Sequence, residues 1–350
     1  MKRSIAIALV LSCFGIWLRY ETLVQRPLDS DERYQLNQML GDQVKPFWTH
    51  LHYGDHTSWP GEYLLHYPVL YKSGIKTTNV DAASKGGYKW RISIIHILMM
   101  LGSYWLMFLL LRGRTWIAYF IAFWIFNLNV NLIYYSLQFR PYAALIFFGL
   151  LSLYLQRNIP HRGNLFSIVS IFILFFIFNY HAYGILIVLL PMIYFLMFQD
   201  CRWNNNYVYT MLKTCVISFP IWCWYALGNS FGMAPNKMQT VCDTFQFIKV
   251  HSIQNAVAGS LFGDNTIIQI LMPVIFLVLL SSRRHAHWYW LLFLIVIPIF
   301  LILLIDIKTQ YWFIQRQWVF VMPWFALLCG GLIEDFCIQR KDNSNQFFKT

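Results

Sequence analysis

Charge is what this chain has least of. Lys, Arg, Asp and Glu make up 12% of its 350 residues, about half the share of an ordinary globular domain, which excludes a soluble globular class. The seven cysteines include no Cys-x-x-Cys pair, so the common zinc-ribbon and redox motifs are excluded as well. Short-period repeats, coiled-coil heptads and low-complexity tracts are missing, apart from a polar tail at 339–350 that is expected to fray. A net charge of +12 has no continuous basic patch behind it. The basic residues come as scattered pairs, which argues against a nucleic-acid partner.

What is abundant is apolar and aromatic: 58% hydrophobic residues and 19% Phe, Trp and Tyr, a composition that suits spanning helices with interfacial aromatic belts. Lys2 and Arg3 precede an apolar run over 5–18, and no small-residue cleavage pattern follows before Arg19. That run reads as an uncleaved first span ending near residue 20. Ten spans are predicted, at about 4–20, 91–111, 115–133, 141–155, 165–179, 183–198, 212–227, 265–280, 289–305 and 317–333. The fold class expected is therefore all-α and polytopic.

With the N-terminus in the cytoplasm, the inner segments hold Arg112 and Arg114, Arg157 and Arg162, Arg202 and Lys213, Arg283 and Arg284, and Arg340 and Lys341. The short outer connections hold only Arg140, Lys308 and Arg316. This asymmetry follows the positive-inside rule and places the first long loop outside. Only Cys242 then lies in an outer segment, so no intramolecular disulfide framework is expected.

That first outer loop, 21–90, carries eight of the fifteen acidic residues and is too long for a simple connector. A second outer loop spans 228–264, and 334–350 form a cytoplasmic tail. Five polar strings stand out. The first, Leu28 to Tyr34, contains Asp31 and Glu32 close to the membrane surface, where a partly desolvated carboxylate makes a general base. The same string reads equally as a helix start, with Asp29 and Glu32 forming a capping box. Asp29-Ser30-Asp31 also spells the Asp-x-Asp string with which soluble glycosyltransferases hold a metal-bound nucleotide sugar, and a divalent metal ion is the one cofactor it brings into question.

The second string, Tyr134 to Tyr142, puts Arg140 and Pro141 at the start of a span. Pro suits that place because its missing N–H would lack a helical partner there anyway. Arg140 beside a helix N-terminus favours an anion such as phosphate; an interfacial anchor is the plain alternative. The third, Asn179 to Gly184, offers His181 in a turn as a phosphate or sugar contact, or as an ordinary satisfied polar group. The fourth offers Arg316 at the start of the last span, as a second phosphate contact or an orienting anchor. The fifth, Asp55 to His66, mixes His56 with carboxylates, but its spacing matches no recognised zinc motif.

Taken in order, these strings resemble the GT-C glycosyltransferases that use polyprenyl-phosphate-sugar donors, of the dolichyl-phosphate-mannose protein mannosyltransferase and aminoarabinose-transferase type. Asp31-Glu32-x-Tyr34 resembles the family's acidic motif after the first span. The segment 56–65 is similar to its His-Pro-Pro-Leu-Tyr-Tyr segment, and Trp90-Arg91-Ile92-Ser93 to the start of its second span. Tyr135-Ser136-Leu137-Gln138-Phe139-Arg140-Pro141-Tyr142-Ala143 resembles a Tyr-Ser-Gln-Glu-Ala-Arg-Pro-Tyr-Ala signature, with Gln138 where Glu is usual. Tyr180-His181-Ala182-Tyr183-Gly184 is similar to a His-Tyr-x-Gly turn, and the segment from Arg316 to Pro323 to an Arg-Tyr…Pro segment.

The resemblance implies a GT-C-like bundle over 1–333 in a bacterial inner membrane, with its site facing the periplasm or exterior. The implied reaction moves a sugar from a polyprenyl-phosphate donor lipid to a hydroxyl of a glycan, lipid or protein acceptor, with inversion. Asp31 would be the base with Glu32 assisting or orienting it. Arg140 and Arg316 would take the leaving phosphate, and Tyr142, His56 and His181 are further donor contacts. The alternatives are a lipid-linked oligosaccharide flippase, which wants polar groups inside its spans, where few are expected beyond Asn127, Asn129 and Asn131, and a polysaccharide polymerase or ligase.

Overall fold

The structure, a computed structural model, describes residues 2–29, 32–33, 35–36, 59–72, 89–198, 204–225, 289–309 and 315–347. The elements among the described residues are all helical: α1 (Lys2–Gln25), α2 (Pro60–Lys72), α3 (Lys89–Leu110), α4 (Trp116–Leu128), α5 (Val130–Tyr135), α6 (Tyr142–Asn158), α7 (Asn164–Tyr180), α8 (Gly184–Phe198), α9 (Asn205–Tyr225), α10 (Tyr289–Thr309) and α11 (Val321–Phe347). Short 3₁₀ turns occupy Ile159–His161 and Gln315–Trp318. Among the described residues, four helical stretches are long and apolar enough to cross a membrane: Lys2–Gln25, Ser93–Leu110, Tyr142–His161 and Val321–Ile338. Four shorter apolar helices accompany them. Leu98, Trp105, Trp124, Leu165, Phe172, Val216 and Trp224 lie on the exterior, an apolar outer surface that suits lipid and not water.

The helices end where the sequence supplies a reason. Gly113 takes a left-handed φ of 93°, which closes the turn between α3 and α4 without a Cβ penalty. The third expected span, 115–133, is in fact broken at Asn129. Its backbone is extended (φ −70°, ψ 109°), and its side chain accepts from Leu132 N to start α5, so a polar cap outcompetes continuation of the helix. Pro141 precedes α6 in helical backbone geometry, and its carbonyl accepts from Leu145 N at 2.9 Å.

Helix α4 packs against both α1 and α11. Close approach at both contacts needs glycine. A Cβ on Gly15 of α1 would collide with the Asn127 and Tyr104 side chains, and one on Gly330 of α11 would stand 2.6 Å from the Ala118 carbonyl oxygen. Small residues at such crossings let the helix backbones come together where lipid gives no hydrophobic drive. Helix α3 packs on α6, α6 on α8, and α7 on α9, and buried aromatics such as Phe123, Phe126, Phe178 and Trp324 fill the space between.

Three expectations are corrected. Arg19 does not end the first span: α1 continues to Gln25, and Arg19 is 2% exposed. Its guanidinium donates to Ser136 Oγ (3.1 Å), Tyr104 Oη (2.7 Å) and the Phe126 carbonyl (3.1 Å), and lies over the Tyr104 and Phe126 rings. A buried charge is tolerable only when it is satisfied in this way. The last helix does not stop at 333: α11 runs on to Phe347 through the segment expected to be a frayed tail. An acidic pair just past the expected end is tied into the bundle: Glu334 is 1% exposed and, with Asp335, binds Arg114 at 3.3 and 2.8 Å. Glu334 also accepts from Thr115 N at the start of α4. Finally, the spans are richer in buried polar groups than the sequence reading allowed; Gln156, for example, bridges Ser152, Val188 and Tyr207.

Candidate active site

At the end of the bundle where α1 finishes, four parts of the chain far apart in sequence meet: Arg26 to Asp29 with Glu32 and Gln35, the start of α2, 136–142 and the α7–α8 turn. Asp29 and Glu32 form the capping box reciprocally, Glu32 N donating to Asp29 Oδ1 (2.8 Å) and Asp29 N to Glu32 Oε2 (3.0 Å). Glu32 does more than cap. Arg26 grips it with both terminal nitrogens at 2.7 and 2.8 Å, and Phe139 N donates to its Oε1 at 2.6 Å. Both partners are sequestered, with side chains 10% and 1% exposed, so removing one would cost about 3–5 kcal/mol. The Arg26 guanidinium also lies 5.1 Å from the Tyr134 ring centroid, and Gln138 donates to Asp29 Oδ2 at 2.7 Å. The acidic motif is thereby pinned to the segment that carries Arg140.

Arg140 heads the next chain of contacts. It donates to Gln35 Oε1 at 3.2 Å, and Gln35 donates in turn to Glu62 Oε2 at 2.8 Å. Glu62 is completely buried, and its Oε1 lies 4.0 Å from His181 Nε2. Helix α2 can come this close because position 61 is glycine: a Cβ there would lie 2.6 Å from Tyr180 Cα. On the other side, His181 Nδ1 accepts from Tyr183 N at 3.3 Å, so the proton of the neutral ring sits on Nε2, facing Glu62. Burial, reinforced by the nearby Arg140 charge, pushes the His181 imidazole down from 6.5 to about 3 and keeps it neutral. Gly184 completes the turn, since a Cβ there would run into the Ile177 and Phe178 carbonyls.

A pair of histidines extends the cluster inward. His66 lies one helical turn beyond Glu62 on α2, an i,i+4 spacing that puts both on one face. Its ring stacks on that of His96 from α3, centroids 4.8 Å apart and planes inclined by 18°, and both rings meet Phe139 edge to face. His96 Nε2 donates to the Arg140 carbonyl at 3.2 Å, a carbonyl having only lone pairs to offer.

Of the residues expected from sequence, Glu32, Arg140 and His181 are brought to one end of the bundle. Glu32 is held as a structural clamp, which fits the orienting role better than proton transfer. Tyr142 is 5% exposed, with its ring packed edge to face on Tyr135 at 5.2 Å. Arg316 falls in the 3₁₀ turn Gln315–Trp318, and its side chain, like the whole of Asp31 and His56, lies outside the described residues. No group of three or more metal-ligating side chains occurs among the described residues. Arg26, Gln35 and His96 were not among the expected site residues, and Glu62 and His66 lay in the fifth string without being singled out. Glu62 and His66 had a legible signal in their i,i+4 spacing; His96 had none, being a lone polar residue in an apolar helix.

No protein-family model matches the chain, and no curated protein or solved structure matches it either.

Proposed function

We propose that this protein is a membrane glycosyltransferase of the GT-C class. In this reading it moves a sugar from a polyprenyl-phosphate donor lipid to an acceptor hydroxyl. The observation that carries the reading is the meeting of Arg140, His181, Glu62 and the clamped 29–36 segment at one end of an apolar helical bundle. A lipid-linked sugar phosphate needs a cation for its phosphate and a carboxylate near the acceptor, and this cluster holds groups of both kinds. The asymmetry of basic residues supports an outward-facing site in a polytopic bundle of about ten spans; a bacterial inner membrane is what the family resemblance adds to this reading.

The chemistry then follows. Asp31, adjoining the clamped Glu32, takes the proton from the acceptor hydroxyl as its oxygen attacks the anomeric carbon. The bond from that carbon to the phosphate oxygen breaks, and the polyprenyl phosphate leaves with the bonding electrons, its growing charge met by Arg140 and Arg316. Single displacement inverts the anomeric centre. Glu32 keeps the acidic motif in register through Arg26 and Phe139. The flippase alternative calls for polar groups lining a path through the spans, whereas the buried Arg19 and Gln156 are engaged in direct contacts between helices.

The test is sugar transfer in vesicles supplied with polyprenyl-phosphate sugars. Asp31→Asn is expected to retain donor binding and abolish transfer. Undiminished transfer by that variant would remove the catalytic assignment, and movement of lipid-linked sugar across the bilayer without a glycosylated product would favour the flippase.

A further inference from the structure

His66 and His96 are 2% and 0% exposed, yet the Nδ1 atom of each has no hydrogen-bond partner among the described residues. A buried polar atom in that state costs about 1–3 kcal/mol, and folded proteins keep few of them without a use. These two are stacked on each other, beside Phe139, one turn from Glu62 and joined through His96 Nε2 to the Arg140 backbone. We infer that His66 and His96 form a sugar subsite, their Nδ1 atoms hydrogen-bonding hydroxyls of the glycosyl group whose phosphate is held by Arg140. The inference rests on the glycosyltransferase reading and specifies where that enzyme holds the sugar ring.

Chemistry narrows the ligand to a hydroxyl. With its proton on Nε2, His96 presents Nδ1 as a bare acceptor. Burial, with His96 alongside, holds the His66 imidazole well below its ordinary range, so His66 is neutral and its Nδ1 is a donor or an acceptor according to tautomer. A hydroxyl both donates and accepts, and so satisfies either form, whereas a carboxylate or phosphate would require a donor. The two rings lie face to face, centroids 4.8 Å apart and planes inclined by 18°, and no third metal-ligating side chain joins them among the described residues. The Phe139 ring against both imidazoles and the Glu62 carboxylate on the same face of α2 complete an environment of aromatic surface and hydroxyl-binding groups.

The experiment has two arms on the full chain in nanodiscs. In the first, His66→Phe and His66→Leu replace the unpaired nitrogen by apolar groups, Phe keeping the ring stack. At least one of them is expected to raise the Tm of the ligand-free protein by about 2 °C or more. In the second, binding of plain polyprenyl phosphate is compared with binding of polyprenyl phosphates carrying glucose, mannose, galactose or arabinose. The wild type is expected to bind at least one sugar-bearing lipid more tightly than the plain one. In His66→Phe and His96→Phe that lipid should bind about tenfold more weakly while plain polyprenyl phosphate holds within twofold; Arg140→Ala should weaken both. A lowered Tm in both His66 variants, equal losses for the two kinds of lipid, or no sugar preference in the wild type would overturn the subsite. If the wild type binds none of these lipids, the glycosyltransferase reading itself falls, and the subsite with it.

Discussion

Glu32 accepts hydrogen bonds from both arms of Arg26, from Asp29 N and from Phe139 N. A carboxylate so committed is a joint, because its charge-assisted bonds hold two segments together. His181 is committed in a different sense: its Nδ1 lone pair serves the Tyr183 N–H, so a second proton on the ring would oppose that donor. Its imidazole accordingly titrates at about 3 against 6.5 for the free group. The unfolded chain thus binds a proton between those values that the folded chain does not, and stability rises with pH across that interval. His181 therefore contributes stability that is complete above about pH 6.5 and is lost as the pH falls toward about 3. Thermal unfolding of the wild type and His181→Asn across pH 4–7 should show the wild type losing more Tm on acidification. Parallel profiles would contradict the account. Residues of this kind were unevenly legible: Arg140 announced itself by standing before Pro141 at the start of an apolar run, while Arg19 read as the end of a span because its five-way burial depends on α3, α4 and Ser136.

At the scale of elements, glycine and asparagine decide where helices stop and how closely they pass. Asn129 divides the expected third span because its side chain caps α5, a choice that hydropathy cannot register. Gly330 and Gly163 make a matched pair. A Cβ on Gly330 meets the Ala118 carbonyl oxygen at 2.6 Å and the Ala122 Cβ at 3.0 Å, while one on Gly163 meets nothing within 4 Å. Gly330→Val is expected to separate α11 from α4 and lower the Tm in detergent by several degrees, a penalty of about 1–3 kcal/mol or more. Gly163→Ala should leave it within about 1 °C. Equal effects would show that the α4–α11 crossing is not the tight contact described. The extension of α11 past residue 333 was hidden for a related reason. Glu334 and Asp335 look like tail residues until Arg114, more than two hundred positions earlier, is placed beside them.

For the molecule as a whole, the apolar, all-helical character follows directly from composition, since little else satisfies a backbone in lipid. The arrangement of the cluster does not, because it joins residues 26–36, 62–66, 96, 138–140 and 181. The same arrangement fixes a relation between its ends: Arg114 with Glu334 at one, Glu32 with Phe139 at the other. If the basic asymmetry sets orientation, the first lies in the cytoplasm and the second outside. In a cysteine-free background, Pro27→Cys should react with a membrane-impermeant maleimide added to intact cells, and Arg162→Cys only after permeabilisation. The reverse labelling would invert the topology and put the cluster on the wrong side for an outward-facing enzyme.

The most direct measurement is release of polyprenyl phosphate from polyprenyl-phosphate sugars by the purified protein in vesicles, with an envelope extract as acceptor. Release by the wild type is expected from at least one donor, abolished in Asp31→Asn and reduced by about a hundredfold or more in Arg140→Ala, a loss of the size expected when one charge-stabilising group is removed. Release from none of the donors, or release unaffected by both substitutions, would contradict it.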